Sequence, residues 1–207
     1  IGITTYTETT ALGARNFALK GWPAVPGYEQ ATLRLTSDGG LEVRVGVLSP
    51  GTGLETTLAQ IAHEILGIDP ERIKVVHGDT ALTPYSTGTY NSRCMVMAGG
   101  AVCASANALA GRIVPLGAHL LGCRADEARL EQGAVRGPGG EVAISDIAAA
   151  WYHRPERFAR DSGVESLEAT AGYKPAVDSG AVGYGAHAAV VAIDAEIGAV
   201  QILDYVI

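Results

Sequence analysis

Apolar and polar positions alternate along "ATLRLT" and again along "LEVRVGV", where Leu41, Val43, Val45 and Val47 share one side, with "SDGG" between the two runs. A period of two on both sides of a polar, Gly-containing turn predicts an antiparallel hairpin over residues 31–47. The period then lengthens. Leu54, Leu58, Ile61, Ala62, Ile65 and Leu66 recur at helical spacing, and Gly67 and Pro70 end the run. Thr52 and Glu55, three residues apart, have the form of a capping box, so Thr52 is the predicted cap of this helix. "RIKVVHGDT" reads as a short strand entering a loop.

Between Arg93 and Arg112 no residue is charged. The pattern predicts one long buried helix over residues 95–121, bent near Pro115. Its length raises the question of a membrane span. The Ala and Gly content, with Ser105 and Asn107, favours a buried helix of a soluble domain and no membrane partner. "ARLEQGAVR", "GPGG" and "EVAI" suggest a small edge hairpin, and residues 145–152 a short helix capped by Ser145. "VESLEATAGY" reads as a strand, and the closing stretch from Gly185 as two strands around a turn at residues 194–198. Strands and helices interleave without regular βαβ spacing. The expected class is therefore α+β, with a mixed or antiparallel sheet and two main helices.

Composition narrows the picture. Of 207 residues, 47% are apolar and 18% charged, enough apolar material for a substantial core. The net charge of -7 argues against nucleic acid as the main partner, because such binders need a basic face. A small phosphorylated ligand held by backbone amides stays open. Cys94, Cys103 and Cys123 are well separated and form no CxxC, so Cys103 and Cys123 are expected as buried free thiols in a reducing, cytoplasmic compartment. The chain opens on Ile1 and its methionines are Met95 and Met97, which predicts a processed subunit or a piece of a longer one.

Candidate chemistry is concentrated in two loops. "SPGTGLETT" places two glycines at a strand-to-helix junction. It is neither a Walker A loop nor GxGxxG, and both a plain helix start and an anion contact fit it. "STGTYNSRC" combines Gly88, an Asn at ease with positive φ, neutral donors and the fixed cation Arg93, just before the long apolar helix. It reads either as the polar lip of a ligand site or as a loop whose Arg93 pairs with a surface acid. The five histidines are scattered, "HEIL" lacks the second histidine of a zinc helix, and no G-x-S-x-G occurs. Glu29, Glu55 and Glu64 are bases only in the sense that any acid is. No catalytic set and no metal ligand set can be assembled.

The two loops, in this order, resemble the molybdenum-cofactor-binding large subunit of the xanthine dehydrogenase, aldehyde oxidase and aerobic carbon monoxide dehydrogenase family. The family pattern is roughly GQGxxT, a helix Gln, LG(I/V), GDT, GTxGSRS and GGxAV, and residues 51–102 follow it. "IGITTYTE" and "HAAVVAIDAEIGAVQILDYV" resemble family strands on the flanks. Carried over, the resemblance places Gly51, Thr52, Gly53 and Thr56 in the first cofactor loop, Gln60 in its helix, and Thr89, Tyr90, Asn91, Ser92, Arg93 and Cys94 in the second. Arg93 is expected to supply charge. Thr52 stands where the family usually has Gln, Asn91 where it has Gly, and Cys94 where it has Ser.

What the resemblance implies is an oxidoreductase fragment binding molybdopterin, in its plain or cytosine dinucleotide form. In the assembled hydroxylase the substrate would be an aldehyde, an N-heterocycle or CO. The implied partners are the rest of the large subunit and iron–sulfur and flavin subunits or domains. The family's catalytic glutamate lies in a G-x-G-E segment further downstream, so residues 1–207 are expected to be part of a molybdopterin-binding domain, inactive alone, with self-association where partner faces are missing. The alternative is a non-catalytic binding or scaffold module for a phosphorylated ligand or partner subunit.

Overall fold

The computed structural model describes residues 1–158 and 163–207. From the N-terminus come strand β1 (Gly2–Thr10), short helix α1 (Ala14–Leu19), strands β2 (Glu29–Leu35) and β3 (Leu41–Val45), helix α2 (Leu54–Leu66) and strand β4 (Ile73–Val76). Helix α3 (Gly100–Leu121), the meander β5 (Arg129–Glu131), β6 (Ala134–Gly137) and β7 (Gly140–Ala143), and helix α4 (Ile144–His153) follow. Strands β8 (Glu168–Tyr173), β9 (Ala181–Ile193) and β10 (Val200–Val206) complete the chain.

The central sheet has the order β4-β3-β2-β8. The predicted hairpin forms β2 and β3, with Ala31 opposite Val45 and Leu33 opposite Val43. β8 pairs antiparallel with β2, and β4 pairs parallel with β3, so the sheet is mixed. Period-two alternation puts Ala31, Leu33, Leu35, Leu41, Val43 and Val45 on one buried face. Helices α2 and α3 cover that face, α3 lying on β2 and β8. Leu58 and Leu66 of α2 and Leu109, Ile113 and Leu116 of α3 are almost wholly buried, each stabilising the fold by roughly 1.5–3 kcal/mol. Ser105 is the polar exception. Its hydroxyl donates to the Ala31 carbonyl at 2.8 Å and accepts from the Ala171 amide at 2.9 Å, tying α3 to two strands.

The run Cys94–Leu121 is long and apolar enough to cross a membrane by composition. Here one face of it forms the central layer of the core. Its first turn, Cys94–Gly99, is a π-helix rather than the expected α-helix. The change to α geometry comes at Gly99 and Gly100, where the helix presses against Ile61 and the Tyr173 ring with no side chain of its own.

Both predicted side-chain caps are absent. Gly53, with φ 74°, is the N-cap of α2 in place of Thr52. Ala143 is the N-cap of α4 in place of Ser145, because β7 runs straight into the helix and the Ile144 amide is taken by the Gly133 carbonyl at 2.8 Å. Cys103 is exposed and Cys94 and Cys123 are half-buried, which corrects the expectation of buried thiols: Cys103 sits on the solvent side of α3. The strand expected over residues 164–173 starts only at Glu168, and the charged run before it lies partly outside the described residues.

β1 joins β9 and β10 in a second, three-stranded antiparallel sheet, with Gly2 opposite Ala189 and Thr10 opposite Ala181. It is rooted in the body where the Gly13 amide meets the Asp178 carbonyl at 2.9 Å. Most of its side chains are exposed, on both faces.

Candidate functional site

β3 ends beside Leu48, and the chain must turn sharply to enter α2. Gly53 makes that turn in the left-handed region, where an L side chain is strained; a Cβ there would meet nothing within 4 Å, so the backbone faces open space. The helix start carries an anion of its own. The Glu55 carboxylate is held below its ordinary range by its own backbone N–H, then by His77 and Ser49, with Glu55 Oε1 2.8 Å from His77 Nε2.

The second loop is stitched to the first. Thr89 Oγ1 accepts from the Leu48 amide at 2.9 Å, donates to the Leu48 carbonyl at 2.5 Å, and accepts from Cys94 Sγ at 3.3 Å. Two successive non-glycine residues, Asn91 at φ 48° and Ser92 at φ 52°, adopt the left-handed region. Such a pair persists only when its surroundings over-determine it. Ser92 Oγ donates to Glu8 Oε1 at 2.9 Å, and the Asn91 carbonyl accepts from the Ala11 amide at 3.3 Å, so β1 braces the turn from outside.

Between the loops lies one hollow of about 440 Å³. Thr52, Leu54 and Thr57 line one side, and Thr89, Tyr90, Asn91, Ser92, Cys94 and Met95 the other. Six of the residues singled out in the sequence are thus brought to one place: Thr52, Thr89, Tyr90, Asn91, Ser92 and Cys94. Gly51 and Gly53 shape the first turn without lining the hollow. Thr56 and Gln60 do not line it and are solvent-exposed on α2, where Thr57 takes the inward position.

Arg93 is placed differently from the expected free cation. It is 1% exposed and its Nη1 lies 2.8 Å from Glu29 Oε2, a carboxylate that is itself wholly buried. The same Nη1 donates to the Gly88 carbonyl at 2.9 Å, and Nη2 donates to the Tyr28 carbonyl at 2.8 Å. The partner is a core acid rather than a surface one. Its guanidinium lies 5.1 Å from the Tyr90 ring, and Nε has no partner among the described residues. Sequence reasoning had passed over Glu29 as one acid among many. A signal was present: Glu29 falls in the same inward phase of β2 as Ala31, Leu33 and Leu35, where an acid needs a buried partner.

The polar lining of the hollow is neutral: the hydroxyls of Thr52 and Tyr90, the Asn91 amide and exposed loop backbone, with the Ser92 oxygen as an acceptor because its hydrogen goes to Glu8. Such a set suits a polar ring system and an oxyanion held by dipoles rather than by a direct ion pair.

A family model described as the molybdopterin cofactor-binding domain matches residues 1–207. The nicotine 6-hydroxylase large subunit of Paenarthrobacter nicotinovorans is 31% identical over 180 residues, 84% of this chain and 21% of the relative. The carbon monoxide dehydrogenase large chain of Hydrogenophaga pseudoflava is 32% identical over 180 residues, again 84% of this chain and 21% of the relative. Among solved structures, Cu,Mo-CO dehydrogenase superposes with a TM-score of 0.80 at 27% identity, covering 99% of this chain and 25% of that one. Quinoline 2-oxidoreductase from Pseudomonas putida 86 gives 0.78 at 29% identity, covering 99% and 26%. The chain therefore spans about a fifth of the length of the curated relatives it matches.

Proposed function

The chain belongs to the molybdopterin cofactor-binding domain family, and from that premise we propose that it is part of a molybdenum hydroxylase large subunit whose two-loop hollow holds molybdopterin. The observation that carries this reading is the convergence of both loops on one space. Thr52, Tyr90, Asn91 and Ser92 would meet the cofactor, in its plain or cytosine dinucleotide form. Thr89 would hold the two loops at a fixed separation. Gly51 and Gly53 set the first turn, and Arg93 acts from behind the second. Thr56 and Gln60, on the exposed face of α2, would meet the cofactor only through a part of it that leaves the hollow.

Bound molybdopterin supplies the metal and the two-electron redox chemistry of such hydroxylases. The chain's own residues bind and orient it and keep the loop peptides in place. None of them is assigned a proton-transfer role. The substrate belongs to the aldehyde, N-heterocycle or CO classes, in line with the nicotine and carbon monoxide named in the relatives. The remainder of the large subunit and iron–sulfur and flavin partners complete the enzyme. Three free thiols suit the reducing cytoplasm.

Purification from a host that makes the cofactor tests this. Molybdenum and pterin fluorescence should accompany the full-length protein, and Thr89→Val should lower both. A well-folded protein without either, in wild type, would favour the scaffold reading and overturn this one.

A further inference from the structure

We propose that Glu29 is the positioning residue of the second loop: one oxygen of its buried carboxylate controls both peptide groups of Gly88 and thereby sets one wall of the cofactor hollow. Glu29 Oε2 accepts from Ser86 Oγ at 2.6 Å and from Arg93 Nη1 at 2.8 Å. Ser86 Oγ in turn accepts from the Gly88 amide at 2.9 Å, and Arg93 Nη1 donates to the Gly88 carbonyl at 2.9 Å. The carboxylate thus holds Gly88 from both sides through two intermediaries, in a left-handed conformation with φ 91°. Thr89, the residue that joins the loops through Leu48, follows directly. The arrangement leaves room for little else: a Cβ on Gly46 would collide with the Ser86 side chain.

Ser86 and Arg93, the two ends of the loop, meet on the same oxygen. Glu29 is the first residue of β2, an inner strand of the central sheet, so the sheet fixes the base of the loop while Leu48 and β1 hold Thr89, Asn91 and Ser92 further along it. A buried carboxylate with two donors on one oxygen is directional as well as attractive, which an apolar contact of equal size is not.

This inference rests on the cofactor reading for its consequence but not for its geometry, and the test separates the two. Glu29→Gln and the paired Glu29→Met/Arg93→Met are made in the full-length protein that carries this chain. Amide hydrogen exchange at Gly88, and at Arg93 whose amide donates to the Tyr90 carbonyl, is followed in cofactor-free material, and pterin content in material from a cofactor-producing host. Glu29→Gln should speed exchange of these amides by roughly tenfold. The paired variant removes the buried charges together, so thermal stability should return towards wild type. Its loop exchange should stay fast and its pterin content low. Loop protection equal to wild type in the paired variant, or unchanged exchange in Glu29→Gln, overturns the positioning role. Should the paired variant not fold, Ser86→Ala, which removes one of the two links to Gly88, must still speed exchange at Gly88. If wild-type protein holds no pterin, the cofactor reading fails while the exchange result still decides this one.

Discussion

A guanidinium sealed from water and paired with a sealed carboxylate is costly to break from one side. Arg93→Ala would leave Glu29 as an uncompensated buried charge, and the expected loss is about 3–5 kcal/mol in denaturant unfolding. Arg93→Lys should recover little, because one ammonium cannot reach Glu29, the Gly88 carbonyl and the Tyr28 carbonyl in the same fork. Glu55 makes an opposite case, exposed and pH-linked. Its carboxyl is held below its ordinary value of 4.5, chiefly by its own amide and then by His77. A lowered folded-state value favours the ionised form, so its stabilisation is fully present above the ordinary value of 4.5 and is lost as pH falls from there through the folded-state value. Glu55→Gln should therefore lower stability in the neutral region, leave the acid end unchanged and so flatten the slope between them, as read by denaturant unfolding across pH. Residues of the two loops were legible because their chemistry is local: glycines, hydroxyls and an Asn within a few positions of each other. The Arg93 partner was not, since it lies 64 residues away and its significance depends on burial.

Elements were legible where one face decides the period. The β2–β3 hairpin and α2 carry uninterrupted inward positions, and their bounds follow. Caps were not legible, because tertiary contacts replaced them. Thr52 is drawn to the hollow while Gly53 makes the turn, and Ser145 packs against the backbone at Gly39. α3 shows how polar and small residues specify packing that hydrophobicity alone would leave loose. Ser105→Ala should cost about 1–3 kcal/mol, because the Ala171 amide loses its buried acceptor. Gly100→Ala sets a helix-propensity gain of about 1 kcal/mol against a Cβ only 2.5 Å from the Tyr173 ring. The collision wins on this geometry, and a lowered Tm is expected. The π turn at Cys94–Gly99 left no mark in the periodicity, as six small or apolar residues fit either helix.

At the scale of the molecule, two bodies of different character meet. The central sheet with α2 and α3 buries a continuous core, whereas β1, β9 and β10 expose Ile3, Tyr184, Ile202 and Val206 to solvent. An apolar sheet open on both faces calls for a covering surface, and residues 1–207 alone should self-associate with concentration in sedimentation experiments. Mixed Thr and Ile positions along β1 gave the sequence pattern no clear inward side, so β1 was visible only through family resemblance, whereas β9 and β10 were legible from the turn at residues 194–198 between them. Glu8 of β1 and the Ala11 amide just after it brace the Asn91–Ser92 turn, which links this sheet to the site. The central claim is that both loops enclose one ligand, molybdopterin. Hydrogen exchange of the full-length protein with and without bound cofactor tests it most directly. Protection gained together at residues 51–57 and 87–92 is the predicted result. Protection confined to one loop, or to neither, would contradict it.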